Sequence, residues 1–274
     1  MKNILLIAGG NNQRCLAEEI INSGYTLILV DPYPAGPCTD LASIHIQCDT
    51  RYYLDIINEI TEKKIQIDGV TSDQSDAALV SVSKIAEYFN LPHTPTVTIR
   101  NCLNKFTQHQ ILEKNKVGIP LTRKLHLENL DDDNSVLDLF WKDISRRCVI
   151  KPSDSQGSKG VQIVESPEDM YAKIHYTSRE TSCGEIIIQE YIQGPEFSLD
   201  AVIVDGNCTP LVIACKYHYL NNPCIDERNT FFNDIPTELS NDLIETVTNA
   251  SKALDLDNTL IHAELIQNID DNRI

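Results

Sequence analysis

Residues 149–161 read VIKPSDSQGSKGV. A short apolar run delivers Lys151, and a loop carrying Gly157, Gly160 and several serines follows at once. A loop of this kind lays backbone N–H groups and hydroxyls against phosphate oxygens, while Lys151 and Lys159 add positive charge. A surface hairpin would use the same residues, so the stretch alone leaves both readings open. It is not a P-loop, because G-x-x-x-x-G-K-[ST] does not occur.

Working outward, RCVIKP (147–152) reads as a strand, and VQIVES (161–166), a helix from Pro167 and EIIIQEYI (185–192) complete a compact α+β unit with it. Upstream lie a helix over about 99–114 that ends near Gly118 and Pro120, a short strand LTRKLHL, an acidic turn ENLDDDNS (128–135) and an amphipathic helix through Lys142. Downstream, residues 197–220 read as two antiparallel strands around the turn DGN (205–207). A helix over 238–254 and the strand TLIHAELIQN (259–268) follow.

The N-terminal part has a different rhythm. NILLIA (3–8), TLILVD (26–31), SIHIQCD (43–49) and IDGVTS (67–72) are short buried strands separated by helical stretches, one of which has Leu54, Ile57 and Ile60 on its apolar face. That alternation predicts an open parallel sheet over 1–95. AGGNNQ after the first strand invites a dinucleotide reading, with Asp31 suited to a ribose, but G-x-G-x-x-G is absent and the signal is weak.

Bulk properties narrow the function classes. Twenty-three Lys and Arg against forty Asp and Glu give a formal charge of −17, which repels nucleic acid, yet a small anion needs only a few placed lysines. The apolar start MKNILLIAGG is too short to span a bilayer and ends in glycines instead of a cleavage site, so neither a membrane nor export is expected. The nine cysteines show no C-x-x-C pair and read as reduced thiols of a cytoplasmic protein.

The order of these pieces resembles the ATP-grasp superfamily of carboxylate–amine ligases. Lys105 in NKF opens a helix, Lys151 ends a strand, the Gly and Ser loop follows, then IQEYIQGPEFSLD with Glu196 and IHAEL with Glu264. VTSDQSD (70–76) is similar to a segment of the carbamoyl-phosphate-synthase-like and amino-acid-ligase-like members.

The resemblance implies an α/β chain. A pre-ATP-grasp sheet domain would cover 1–95, a linker helix 96–120, a small lid lobe 121–191 and a large lobe 192–274. It implies ATP and Mg²⁺ as cofactors, with Mn²⁺ able to substitute, small carboxylate and amine substrates, and it is compatible with a homodimer. Lys105 and Lys151 would contact phosphates, and Lys151 and Lys159 would serve phosphoryl transfer. Ser158, Lys159 and Gly160 would form the lid loop. Gln189, Glu190 and Ile192 would read the adenine edge, Glu196 would bind the ribose and Glu264 would bind the metal.

Lys216, His218 and Arg228 lie where relatives approach the acceptor substrate, and His262 reads as a structural neighbour. Relatives carry a further strand with a second metal-binding Glu, an Asn and an Arg, whereas the residues here end at IDDNRI. The expectation is therefore a large lobe incomplete within 192–274, either a piece of a longer enzyme or a short form. A non-catalytic ATP-binding subunit and a bicarbonate-using carboxylase are the alternative functions.

Overall fold

Leu5, Leu6 and Ile7 are all fully buried, which three successive strand residues achieve only when both faces of the sheet are covered. They belong to β1 (Asn3–Ile7), which pairs in parallel with β2 (Thr26–Val30) and β4 (Gly69–Thr71). With β3 (Ile44–Ile46) the order is β3-β2-β1-β4. Leu6, Leu27 and Leu29 pack on Ala17 and Ile20 of α1 (Arg14–Asn22). On the other face Leu5, Ile7, Ile28 and Val30 meet Ile56, Ile57 and Ile60 of α2 (Tyr53–Glu62) and Ala78 and Ile85 of α3 (Asp76–Tyr88).

Leu54, expected on the buried face of α2, is exposed instead. The buried stripe runs 53, 56, 57, 60, the i, i+3, i+4, i+7 pattern of one helix face. Asp31 accepts the N–H of Gly9 at 2.8 Å and of Tyr33 at 3.0 Å, so its carboxylate closes the loops at the carboxyl end of the sheet.

In this computed structural model the described residues are 1–129, 141, 147–220, 222–231 and 235–274. Most of the acidic turn expected over 128–135, and the helix expected through Lys142, lie outside them. The chain divides into the units Met1–Arg100 and Asn101–Ile274. The single helix expected over 99–114 is two, α4 (Thr96–Leu103) and α5 (Lys105–Lys114). Asn104 interrupts them: its backbone is extended and its side chain accepts the Thr107 N–H at 2.9 Å, which caps α5.

The second unit holds two antiparallel sheets. One comprises β5 (Thr122–His126), β6 (Cys148–Pro152), β7 (Gln162–Val164) and β8 (Glu185–Glu190) in the order β5-β8-β6-β7. Cys148, Ile150, Ile186 and Ile188 pack on Met170 and Ile174 of α6 (Pro167–Thr177). The other comprises β9 (Glu196–Val204), β10 (Asn207–Tyr219), β11 (Asn222–Phe231) and β12 (Thr259–Ile266) in the order β11-β10-β9-β12. Phe197, Leu199, Ala201 and Leu265 pack on Leu243 and Val247 of α7 (Thr237–Ala253).

Because side chains alternate along a strand, each sheet keeps one face for its helix and leaves a second face for polar groups. All nine cysteines carry free thiols. Among the described residues no helix is long and apolar enough to cross a membrane.

Candidate functional site

The second face of the small sheet carries Lys151 and Gln189. On β6, Cys148 and Ile150 point toward α6, so Lys151 points away. On β8 the same alternation turns Gln189 to the Lys151 side, opposite Val149 on β6 and Thr122 on β5. No hydrogen bond or ion pair reaches the Lys151 ammonium among the described residues. Burial, joined by the nearby Lys105 charge, lowers its pKa to about 8, against the opposing pull of Glu264 and Glu196.

Lys105 is held close by. Its backbone N–H donates to Ser153 O at 3.0 Å and its ammonium donates to Ser155 O. Two cations thus share one locality at the root of the loop, where a low dielectric makes an arriving anion strongly favoured.

Asp154 anchors that loop by accepting from Thr181 Oγ1 at 2.8 Å, Ser182 N at 3.0 Å and Cys183 N at 2.9 Å. Ser158 and Lys159 are exposed at its tip. Gly160 closes it with φ +74°, and a Cβ there would lie 2.9 Å from side-chain carbons of Glu180 and Pro152. Gly160→Ala should therefore cost about 1–3 kcal/mol in urea denaturation, through backbone strain and overpacking together. An unchanged midpoint would remove the constraint.

Gln189 is 2% exposed. Its Nε2 lies 2.9 Å from His109 Nδ1 and 2.9 Å from Thr122 Oγ1. Burial, with the Lys151 and Lys105 charges, depresses His109 to about 4, so the ring is neutral at physiological pH. Glu190 donates its N–H to Leu121 O at 3.0 Å, and Ile192 is half-buried just beyond the strand.

The second face of the large sheet is a charge cluster around Lys216. Phe197 and Leu265 face α7, so Glu196, Ser198 and Glu264 face the other way, and Lys216 joins them opposite Glu196. The Lys216 side chain is only 5% exposed. It pairs with Glu196 at 2.9 Å, with Asp226 at 3.1 Å and with Glu264.

Burial works against the Lys216 charge, but hydrogen bonds and Coulomb attraction from Glu264 and Glu196 override it and hold the ammonium above the ordinary lysine range. Glu264 responds in mirror image: burial raises it, and the Lys216 contact outweighs burial and lowers it. His218 Nε2 lies 3.0 Å from Glu196 Oε2, and its Nδ1 lies 3.2 Å from Asp226 Oδ1 without hydrogen-bond alignment.

Glu264 keeps 58% of its side chain accessible, although many protein atoms surround it. The two facts agree if it lines a cleft open on one side. Glu196, His218 and Asp226 bring one potential ligand atom each within 4.8 Å of one another. Glu264 shares the Lys216 ammonium with Glu196 and Asp226, and carboxylate oxygens are the donors that suit a hard divalent cation.

The structure places Lys105 beside the loop that follows Lys151, with Gln189 on the same sheet as Lys151, and Glu196, Lys216, His218 and Glu264 together on the β11-β10-β9-β12 sheet. The two groups sense each other, since Glu264 and Glu196 act on Lys151. Arg228 does not join them. It pairs with Tyr217, whose alternation carries it to the other face from Lys216, and its guanidinium lies 4.4 Å over the Tyr217 ring. His262 sits 2.6 Å from Asp200 in an exposed pair.

Sequence reasoning missed Asp226, His109 and Thr122. His109 carried a faint signal, four residues after Lys105 on one helix face. A pocket of about 220 Å³ between α5 and β5, lined by Phe106, His109, Thr122 and Lys124 among others, includes neither Lys151 nor Glu264.

Residues 144–274, a little under half of the chain, match the ATP-grasp domain family. The chain is similar to an uncharacterized protein, y4rH, of Sinorhizobium fredii (strain NBRC 101917 / NGR234), at 26% identity over 139 residues that cover 49% of this chain and 28% of that protein.

Among solved structures, an L-amino acid ligase from Bacillus licheniformis superposes with a TM-score of 0.80 at 22% identity, covering 98% of this chain and 64% of that one. An N5-carboxyaminoimidazole synthetase from Staphylococcus aureus complexed with ADP gives 0.78 at 16% identity, covering 99% and 68%. A D-alanine–D-alanine ligase from Bacillus anthracis gives 0.72 at 17% identity, covering 100% and 84%. The chain therefore has the ATP-grasp fold and spans about two thirds of the first of these solved chains.

Proposed function

We propose that this chain binds ATP with Mg²⁺ between its two antiparallel sheets and serves an ATP-dependent ligase that joins a small carboxylate to an amine. The observation that carries this reading is Lys151: an ammonium without a partner among the described residues, its charge disfavoured by burial and by Lys105 and favoured more weakly by Glu264 and Glu196. A triphosphate would neutralise both lysines, and a metal ion would neutralise the triphosphate against Glu264.

In this scheme Lys105 and Lys151 contact the phosphates, and Ser158, Lys159 and Gly160 close over them. Gln189, Glu190 and Ile192 read the base, and Glu196 binds ribose hydroxyls through lone pairs left beside Lys216 and His218. Lys216 and His218 border the reacting end, and Arg228 has no part.

Glu264 would hold the metal ion, which would supply charge neutralisation to the phosphates. An oxygen of the substrate carboxylate attacks the γ-phosphorus, the bond to the bridging oxygen breaks and ADP departs. The amine nitrogen then attacks the acyl carbon, loses its proton, and phosphate leaves. Phosphoryl transfer of this kind depends on positioning and on charge stabilisation, which Lys105, Lys151 and the metal carboxylate Glu264 would provide. The similarity in fold to an L-amino acid ligase and a D-alanine–D-alanine ligase supports an amino acid as the carboxylate.

Thermal unfolding with Mg²⁺·ATP, followed by a phosphate-release screen with amino acids singly and in pairs, tests the reading. Stabilisation of about 2.7 kcal/mol is expected at a hundredfold excess over the dissociation constant. Release that depends on one amino acid supports the ligase, and release that depends on bicarbonate supports the carboxylase use of the fold. Stabilisation without release supports a binding subunit. No stabilisation by ATP overturns all three.

A further inference from the structure

We infer that Thr122 and His109 are positioning residues that fix which way the Gln189 amide faces, so that the crevice selects a base bearing an amino group over one bearing a carbonyl. The inference rests on the nucleotide reading above and adds to it the origin of base selectivity.

Gln189 differs from a carboxylate at the same place because its two ends are not equivalent. The NH₂ end offers two hydrogens and the carbonyl end only lone pairs. Its orientation therefore decides whether the crevice presents a donor or an acceptor.

Three contacts set that orientation. Nε2 lies 2.9 Å from Thr122 Oγ1 and 2.9 Å from His109 Nδ1. The Thr122 hydroxyl is itself 2.8 Å from Pro120 O and 3.0 Å from His109 Nδ1, and in donating to Pro120 O it turns its lone pairs toward the amide. His109 is neutral, kept so by burial and by Lys151 and Lys105, and its Nδ1 can accept. With both amide hydrogens directed at these acceptors, Oε1 is the end left for a ligand, and it makes no protein hydrogen bond among the described residues.

Turning the amide over would set Oε1 against Thr122 Oγ1 and His109 Nδ1. The hydroxyl would then have to abandon Pro120 O, and the ring would have to move its proton to Nδ1. The part-buried Pro120 carbonyl would lose its protein donor, a cost that disfavours the turned amide at the enclosed Gln189.

The position fits a base. Gln189 pairs with Val149, two residues from Lys151 on the same face of the sheet, so the two side chains are diagonal neighbours about 7–8 Å apart. A ligand whose phosphate lies at Lys151 can reach the amide with its ring. Adenine presents an exocyclic amine, a donor to Oε1. Guanine presents a carbonyl at the equivalent position and leaves two acceptors facing each other, an arrangement that polar sites reject strongly.

The experiment is a titration of the full 274-residue chain with ADP and with GDP in Mg²⁺ by calorimetry, for the wild type, Thr122→Val, Thr122→Ser, His109→Phe, Gln189→Glu and Gln189→Glu/Thr122→Val. The wild type should prefer ADP. Thr122→Val should lower the ADP-to-GDP affinity ratio about tenfold, the worth of one buried hydrogen bond. Thr122→Ser should restore the ratio and His109→Phe should also lower it, so the idea stays testable if the valine variant fails to fold. In Gln189→Glu both ends of the side chain accept, so adding Thr122→Val should leave its ratio unchanged.

A folded Thr122→Val with the wild-type ratio, or an equal fall in the Gln189→Glu background, overturns the inference while leaving ADP binding intact. A wild type that binds both nucleotides equally also overturns it. Binding of neither nucleotide removes the parent reading, and this inference with it.

Discussion

Lys151→Met should melt at a higher temperature than the wild type when no ligand is present, and should lose its response to Mg²⁺·ATP. The folded protein holds Lys151 near pH 8, below the ordinary lysine value of 10.5, because burial and Lys105 disfavour the charge. Below pH 8 the side chain is protonated in both folded and unfolded chains, and the folded chain bears the full cost. As pH rises from about 8 to 10.5 the folded state sheds the proton first and the cost fades.

Methionine keeps the apolar stem and removes the charge, so a gain of roughly 1–2 kcal/mol at pH 7 is expected, or a few degrees in the melting temperature. Wild-type stability should climb relative to the variant between pH 8 and 10.5. Phosphate loses a charged hydrogen bond in a dehydrated crevice, so nucleotide affinity should fall about ten- to hundredfold or more. Stability gained and binding lost is the signature of a residue kept for its ligand. A variant that melts lower and binds ATP as before would show that Lys151 is a structural lysine.

The parts of this architecture that were legible are those in which local pattern and burial agree. After Asn3 and Thr26, the runs ILLI and LILV are uniformly apolar because their parallel sheet is covered on both faces. Lys151 was legible because an apolar strand that ends in lysine and runs into glycine and serine is unusual for a core element. The break at Asn104 was not, since apolar spacing continues across it and only the side-chain cap reveals it.

β11 was missed for a physical reason. CIDERNTF has little alternation because it is an edge strand largely open to water, held mainly by backbone pairing with β10. Asp226 was lost with it. Arg228 was misplaced because register decides which face a residue takes, and one irregular step between Tyr217 and His218 separates Arg228 from the cluster that its neighbours in sequence join. His109 and Thr122 meet Gln189 from two other elements, a meeting that no local pattern encodes.

The other lysine on the facing sheet should behave in the opposite way, and Lys216→Met is expected to be among the most destabilising single changes in the second unit. Lys216 is as well buried as a core residue, yet the pull of burial on its pKa is outweighed, because Glu196, Asp226 and Glu264 surround the ammonium. Remove it and three carboxylates face one another with no counter-charge. Breaking a buried pair typically costs about 3–5 kcal/mol. Glu264 and Asp226 retain access to water, so the lower figure, about 2–3 kcal/mol at pH 7, is the better expectation.

The pH dependence gives the charge-specific test. In the wild type Glu264 titrates below the ordinary value of 4.5, so its contribution is present above that pH and fades as acid protonates the folded state. Without Lys216 the balance reverses, since burial and two neighbouring carboxylates both raise the folded pKa of Glu264. The variant then gains stability relative to the wild type as pH falls through that raised value, and the two melting curves should converge in acid. A loss of stability that stays constant from pH 7 to pH 4 would mean that Lys216 acts through packing of its stem, and the electrostatic account of the large-lobe cluster would have to be given up. Convergence would establish that the carboxylates proposed for ribose and metal are held in place, before any ligand arrives, by an ammonium of the protein's own.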